Sequence, residues 1–213
     1  MVLKRTLGCL FVLTLASGIL WAQDGPKAAH TNRSAQVTPM QAQPTTTKTI
    51  FSNFGPSLTN SYNPSTGYYV LGPNNSVGLG EQWIGLPFTP LKNSSATIIS
   101  AAIGVETGYH AVNLGIYSDN SGTVGTLLAS SEATKIPAFG TCCQTVNVEI
   151  PATALTAGTQ YWIVATTDDV NAPNFTGVWM STNSSTISYN PSQEGWFDFS
   201  GNVPAAAVKG TEQ

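Results

Sequence analysis

Hydrophobic and polar residues alternate along much of the chain. The alternation is clearest over residues 99–105 and again over residues 112–116, where every second residue is apolar. A period of two is typical of a β-strand with one buried face. Gly, Pro and Asn separate the alternating runs, and no segment keeps the 3.6-residue apolar period of a helix. The pattern therefore predicts an all-β chain.

About ten short strands are predicted from these runs. They are Thr49–Phe54, Tyr68–Leu71, Gln82–Phe88, Ala96–Glu106, Ala111–Tyr117, Thr126–Ser131, Gln144–Ile150, Gln160–Thr167, Gly177–Thr182 and Gly195–Phe199. Short strands at regular spacing, with turn residues between them, are typical of a sandwich of two antiparallel sheets. We therefore expect an antiparallel β-sandwich with a jelly-roll-like arrangement of strands.

The segment Leu114–Ser130 carries the strongest local signal. Strand-forming residues at its start are followed by the polar run Ser118–Gly125, in which Asp119, Asn120 and Gly122 tolerate turn conformations. The segment is therefore predicted to be strand, tight turn and strand. The turn alone explains Asp119 and Asn120, so we do not expect them to form a functional site.

Both ends of the chain differ in composition from this β region. Residues 1–22 have the basic start, apolar stretch and small residue of a secretory signal peptide, and their apolar run is too short to span a membrane. Residues 23–46 predict a disordered linker, and the similar residues 203–213 predict a disordered tail. We expect one folded domain over residues 47–202, secreted or at the cell surface, with no membrane span after signal cleavage.

The charge of the mature chain limits its partners. Without the leader, six basic residues stand against 11 acidic ones, and only 9% of the whole chain is charged. A net negative surface repels polyanions, so nucleic acid is not an expected partner. Hydroxyl and amide groups dominate the polar residues instead, and an extracellular glycan or a surface protein is the expected partner.

Residues with catalytic potential are few. His110 is the one histidine of the predicted domain, and its place beside a turn predicts a surface imidazole without a catalytic role. Glycoside hydrolysis needs only two carboxylates. The domain has nine acidic residues without a recognisable motif: Glu81, Glu106, Asp119, Glu132, Glu149, Asp168, Asp169, Glu194 and Asp198. No catalytic residue is assigned, and a glycoside hydrolase or lyase that uses two of these acids stays an alternative.

Tryptophans are the one positive indication of binding. An exposed aromatic ring on a sheet can stack on a sugar. Trp179 and Trp196 neighbour polar residues and turns, so both are candidates for an exposed aromatic platform. Trp162 lies in a continuous apolar run and is expected in the core.

Two further groups of residues have alternative interpretations. Asp168, Asp169 and Asn171 cluster oxygen ligands where a strand ends, and they could hold a structural Ca²⁺, although ordinary turns use the same residue types. Cys142 and Cys143 can form a vicinal disulfide, stay reduced or pair between molecules. The vicinal disulfide is favoured in an oxidising compartment, where it would stiffen a turn.

Several stretches together resemble a known family. The YSDNSG and GTLL motifs of Leu114–Ser130, TCCQTVNV at Thr141–Val148 and LTAGTQYWIVATT at Leu155–Thr167 are similar to the secreted bacterial β-sandwich domains called choice-of-anchor domains. The resemblance spans about Ile50–Ser200. It implies an extracellular module of surface or matrix proteins with no established enzymatic activity, and it supplies no catalytic residues.

Three functions follow as hypotheses. The first is a secreted, non-enzymatic module for extracellular recognition or matrix structure that binds carbohydrate through exposed aromatic rings. The second is the carbohydrate-active enzyme that uses paired carboxylates. The third is a structural protein that assembles through unpaired strand edges.

Overall fold

The computed structural model describes residues 46–54, 62–142, 144–168, 170–191 and 195–213, with the backbone alone for 183–191 and 199. This part of the chain contains twelve strands. Among the described residues, no helix is long and apolar enough to cross a membrane. The predicted all-β fold is confirmed.

The strands, numbered in chain order, form two sheets. The small sheet has the order β1 (Lys48–Ser52), β12 (Ala206–Glu212), β4 (Ser94–Ala101) and β8 (Val146–Leu155). The large sheet has the order β11 (Phe197–Pro204), β10 (Thr176–Pro191), β2 (Asn63–Leu71), β3 (Gln82–Phe88), β9 (Tyr161–Thr166), β6 (Val112–Asn120) and β7 (Thr123–Ala133), with β5 (Ile103–Thr107) paired to β10. The pairs of named strands are antiparallel.

The main hydrophobic core contains residues of both sheets. Ile99 and Val208 of the small sheet cluster with Leu114, Ile163 and Trp179 of the large sheet, and all five side chains are completely buried. Removal of these apolar groups from water is the main force that holds the two layers together. The antiparallel β-sandwich is therefore confirmed.

The predicted tail over residues 203–213 is wrong. These residues include β12, which pairs with β1 on one side and β4 on the other. Val208 is completely buried, and Glu212 lies 3.5 Å from Lys48 and 3.0 Å from Lys92. The strand contains mostly small residues, so its sequence lacks a strong apolar signal, and its stability comes from the two strands beside it.

The predicted strand Ala96–Glu106 is divided between the sheets. It leaves the small sheet after β4 and enters the large sheet as β5. At the corner, the Ala102 N–H donates to the Ala205 carbonyl at 3.0 Å, and the Ala102 carbonyl accepts from the Met180 N–H at 2.8 Å. These bonds satisfy the backbone polar groups where the chain changes sheets. The alternation of apolar residues continues through this corner and therefore does not reveal the change of sheet.

The predicted turn within Leu114–Ser130 is confirmed. It joins β6 to β7, which pair with each other in a hairpin. Ser121 and Gly122 have φ values of 57° and 93°. Positive φ at both central residues is the geometry of the type I′ turn that matches the twist of a hairpin.

The buried position of β12 predicts the effect of truncating one side chain. Val208→Ala should lower the free energy of unfolding by about 2 kcal/mol, because it removes buried methyl groups and leaves a cavity. Lys209→Ala, on the half-buried neighbour, should change it by less than about 0.5 kcal/mol. Chemical denaturation of the two variants measures the difference, and equal effects would contradict the central placement of β12.

Candidate functional site

A second apolar cluster lies on the outer side of the large sheet, away from the small sheet. Alternate residues of β9 face the inter-sheet core, whereas Trp162 and Val164 pack with Val124 on the other side. Trp162 is completely buried, as predicted. The half-buried Tyr117 and Trp196 pack against this cluster. The outer side of the sheet therefore has an aromatic layer of its own.

Gly85 gives Trp196 access to the sheet. A Cβ atom on Gly85 would lie 3.4 Å from Trp196 Cζ3, 3.4 Å from Trp162 Cε3 and 2.9 Å from Val124 Cγ2. A methyl group here would already press on Val124, and a longer side chain would need the space that the two indoles occupy. The glycine therefore lets Trp196 lie close to Trp162 while part of the Trp196 ring stays accessible.

Asp119 ties the hairpin turn to β9. Its Oδ1 accepts hydrogen bonds from Trp162 Nε1 at 2.8 Å and from Gln160 Nε2 at 2.7 Å, and its Oδ2 accepts from the Gly122 N–H at 2.9 Å. Partial burial acts to raise the pKa of Asp119, but these hydrogen bonds outweigh it and hold the pKa below its usual value. The sequence explained Asp119 by its turn alone, and nothing in the local pattern indicated the bond to Trp162.

Asp198 brings a second carboxylate to this region. It is the second residue of β11, and Trp196 directly precedes that strand. Partial burial and the negative charge of Asp119 raise the pKa of Asp198 above its usual value. We use the name Trp196 face for the surface that includes Trp196, Tyr117, Asp119, Gln160 and Asp198. It combines two aromatic rings with two carboxylates and an amide.

Trp179 is not part of an exposed platform. It is completely buried in the inter-sheet core, and its indole N–H donates to the Ala205 carbonyl at 2.9 Å. Its strand β10 lies between β2 and β5 at this point. The prediction that Trp179 forms an exposed aromatic platform is therefore wrong, because Trp179 faces the small sheet.

Asp168 and Asn171 form a local turn. Asp168 Oδ1 accepts from the N–H groups of Val170 and Asn171 at 2.8 and 2.9 Å, and Oδ2 accepts from Asn171 Nδ2 at 2.6 Å. These hydrogen bonds lower the pKa of Asp168. Both oxygens thus face N–H donors, and the turn accounts for both residues. Among the described residues, no three His, Cys, Asp or Glu side chains form a metal-binding group. Asp169 lies outside the described residues, and the Ca²⁺ ion stays a prediction.

Cys142 is disulfide-bonded. It lies in the connection between β7 and β8, with its residue exposed to solvent. Cys143 lies outside the described residues, so the vicinal pairing itself stays a prediction.

Glu81 is the most deeply buried acid for which a solvent exposure is described. Its Oε1 accepts from Trp83 Nε1 at 2.8 Å and from the Thr167 hydroxyl at 3.0 Å. The bond from Thr167 joins the residue before β3 to the residue after β9. Glu81 therefore has a structural role as a hydrogen-bond acceptor, which its position in the sequence did not indicate.

The bond between Asp119 and Trp162 predicts a clear difference between two turn aspartates. Asp119→Ala should lower the free energy of unfolding by about 2 to 4 kcal/mol, because it leaves the buried Trp162 N–H without its acceptor. Asp168→Ala should lower it by clearly less, because the donors around Asp168 are exposed and can bind water instead. Urea denaturation monitored by tryptophan fluorescence compares them. A smaller loss for Asp119→Ala than for Asp168→Ala would contradict this role.

The chain matches no protein-family model and no curated protein.

Proposed function

We propose that the protein is a secreted, non-enzymatic β-sandwich module that recognises carbohydrate outside the cell through the Trp196 face. The observation that carries this proposal is the half-buried indole of Trp196, which packs against the cluster of the completely buried Trp162. Asp119 accepts a hydrogen bond from Trp162, and its charge acts on Asp198. The signal-peptide pattern of residues 1–22 and the resemblance to choice-of-anchor domains support an extracellular setting.

The Trp196 face has the two kinds of group that sugar binding uses. An aromatic ring packs against the C–H face of a pyranose, and carboxylates and amides accept or donate hydrogen bonds at its hydroxyl groups. Asp119 fixes Gln160 through a 2.7 Å hydrogen bond. A polar group that is already held in place loses less conformational entropy when a ligand binds.

The bonding of Asp119 supports a function without catalysis. Its carboxylate accepts hydrogen bonds from the turn and from two side chains around β9. Such bonding suits a residue that maintains the fold, because a nucleophile or base needs an oxygen directed at the substrate.

Assembly through strand edges has less support from the small sheet. Its outer strand β1 has five residues, begins with Lys48 and changes register between Thr49 and Phe51. The opposite outer strand β8 contains Glu149 and Pro151. Short strands, bulges, charges and proline all oppose the pairing of one sheet edge with another.

A glycan array with the mature protein tests the proposed function. Trp196→Ala should weaken binding to the glycans that score positive by about tenfold, because it removes the stacking surface. Trp196→Phe should retain part of the affinity. Tyr109→Ala is the matched control, because Tyr109 is an exposed aromatic residue outside the Trp196 face. Absence of binding to every glycan would contradict the proposal, and unchanged binding by Trp196→Ala would contradict its site.

Glycoside hydrolysis is a second candidate function, favoured by the opposite pKa shifts of Asp119 and Asp198. Two nearby carboxylates with pKa values pushed apart are typical of an acid and its partner in glycosidases. Asp198 would donate a proton to the glycosidic oxygen. Asp119 would activate water or attack the sugar carbon through Oδ2, which accepts one hydrogen bond whereas Oδ1 accepts two.

The two shifts define the pH dependence of such an activity. Hydrolysis should rise with pH through the lowered pKa of Asp119 and fall as the pH rises through the raised pKa of Asp198. Release of reducing ends from a polysaccharide panel measures it, with Asp198→Asn expected to abolish turnover and Asp168→Asn to leave it unchanged. Absence of turnover between these limits would exclude the second candidate.

A further inference from the structure

A groove of about 340 Å³ lies on the large sheet, apart from the Trp196 face. Its lining residues come from β2, β5, β10 and the connection after β7, and they are Ser65, Thr66, Gly67, Tyr69, Glu106, Phe139 and Val178. We call it the Tyr69 groove. It shares no residue with the Trp196 face, and its volume is within the range of small-ligand sites.

The strand order sets the width of the Tyr69 groove. Val178 of β10 lies opposite Tyr69 of β2 on one side and Gly104 of β5 on the other. The backbones of β2 and β5 are therefore two strand spacings apart, about 9.5 Å. The buried Val178 forms the floor, with Tyr69 on the β2 side and Glu106 on the β5 side.

Phe139 forms part of the β5 side of the groove because its loop is attached to β5. The Phe139 N–H donates to the Val105 carbonyl at 2.8 Å, and the Val105 N–H donates to the Pro137 carbonyl at 2.8 Å. A Cβ atom on Gly104 would lie 2.6 Å from the Phe139 Cα. Only glycine at position 104 allows the loop to lie so close to the strand.

We propose that the Tyr69 groove binds an organic ammonium group. Its two aromatic side chains, Tyr69 and Phe139, can attract a cation through their ring faces. Glu106 is the one charged residue among the residues that line it, and its carboxylate is exposed. The floor at Val178 suits the alkyl groups that such a cation carries. An anion would be repelled by Glu106, and a neutral molecule could use the carboxylate only as a hydrogen-bond acceptor.

A second groove on the molecule provides the comparison. It has a volume of about 330 Å³ and is lined by residues around the end of β7 and the start of β8, including Glu132, Lys135 and Asn147. Its lining has an acid next to a base and contains no aromatic residue. It therefore lacks the combination of rings and uncompensated carboxylate that characterises the Tyr69 groove.

Choline and its uncharged isostere 3,3-dimethylbutan-1-ol test the proposal directly. Titration of the mature protein, followed by NMR or calorimetry, should show choline binding at least tenfold more tightly than the isostere. Glu106→Gln should remove most of this preference, whereas Glu132→Gln should leave it unchanged. Equal binding of the two probes, or no effect of Glu106→Gln, would overturn the proposal. So would tighter binding of methyl glucoside than of choline.

Two further variants test the wall of the groove. Phe139→Leu keeps a similar volume without the ring and should weaken choline binding several-fold. Gly104→Ala should weaken it as well, because the added methyl displaces the loop that carries Phe139. Circular dichroism and thermal unfolding show whether each variant is folded. Unchanged choline affinity in folded Phe139→Leu would contradict the role of the ring. None of these outcomes depends on glycan binding at Trp196.

Discussion

The burial of β9 on both faces is the constraint on which the rest of the structure depends. Every residue of this strand is buried. One set of alternate side chains fills the space between the sheets, and the other set forms the floor of the Trp196 face. An indole N–H buried in that floor needs an acceptor, and Asp119 supplies it from the hairpin turn. The same contact that satisfies the fold therefore places a carboxylate beside Trp196.

Both candidate sites depend on a glycine in a strand. Gly85 of β3 lets Trp196 lie close to Trp162, and Gly104 of β5 lets the loop with Phe139 lie close to its strand. A strand glycine costs stability because it has no side chain to pack and loses more backbone entropy. At these two positions the missing side chain allows an aromatic residue from another element to occupy the outer side of the sheet. Both candidate sites are therefore formed by aromatic residues that pack over the outer side of the sheet.

The sequence predicted the elements with strong alternation and missed those without it. It placed β3 with its observed bounds and located the turn between β6 and β7, because apolar alternation and turn residues are local properties. It missed β12, whose small residues carry little signal until β1 and β4 pair with them. It also joined β4 to β5, because a strand that changes sheets at Ala102 keeps its alternation.

The candidate sites were harder to predict than the strands for a related reason. Trp179 and Trp196 have similar neighbours in the sequence, yet one faces the inter-sheet core and the other is half-buried on the outer side. Tyr69, Glu106 and Phe139 are far apart in the chain, and no spacing indicated that they line one groove.

The sequence by itself determined that this chain is all-β, that a hairpin turns within residues 118–125, and that Trp162 is buried. These properties depend on the residues within one strand or turn. The tertiary structure alone decided which side of each sheet is covered, because coverage depends on strands and loops from distant parts of the chain. It therefore decided that Trp179 is core, that residues 206–212 are a central strand, and that Asp119 lies near enough to Asp198 for its charge to raise the pKa of Asp198.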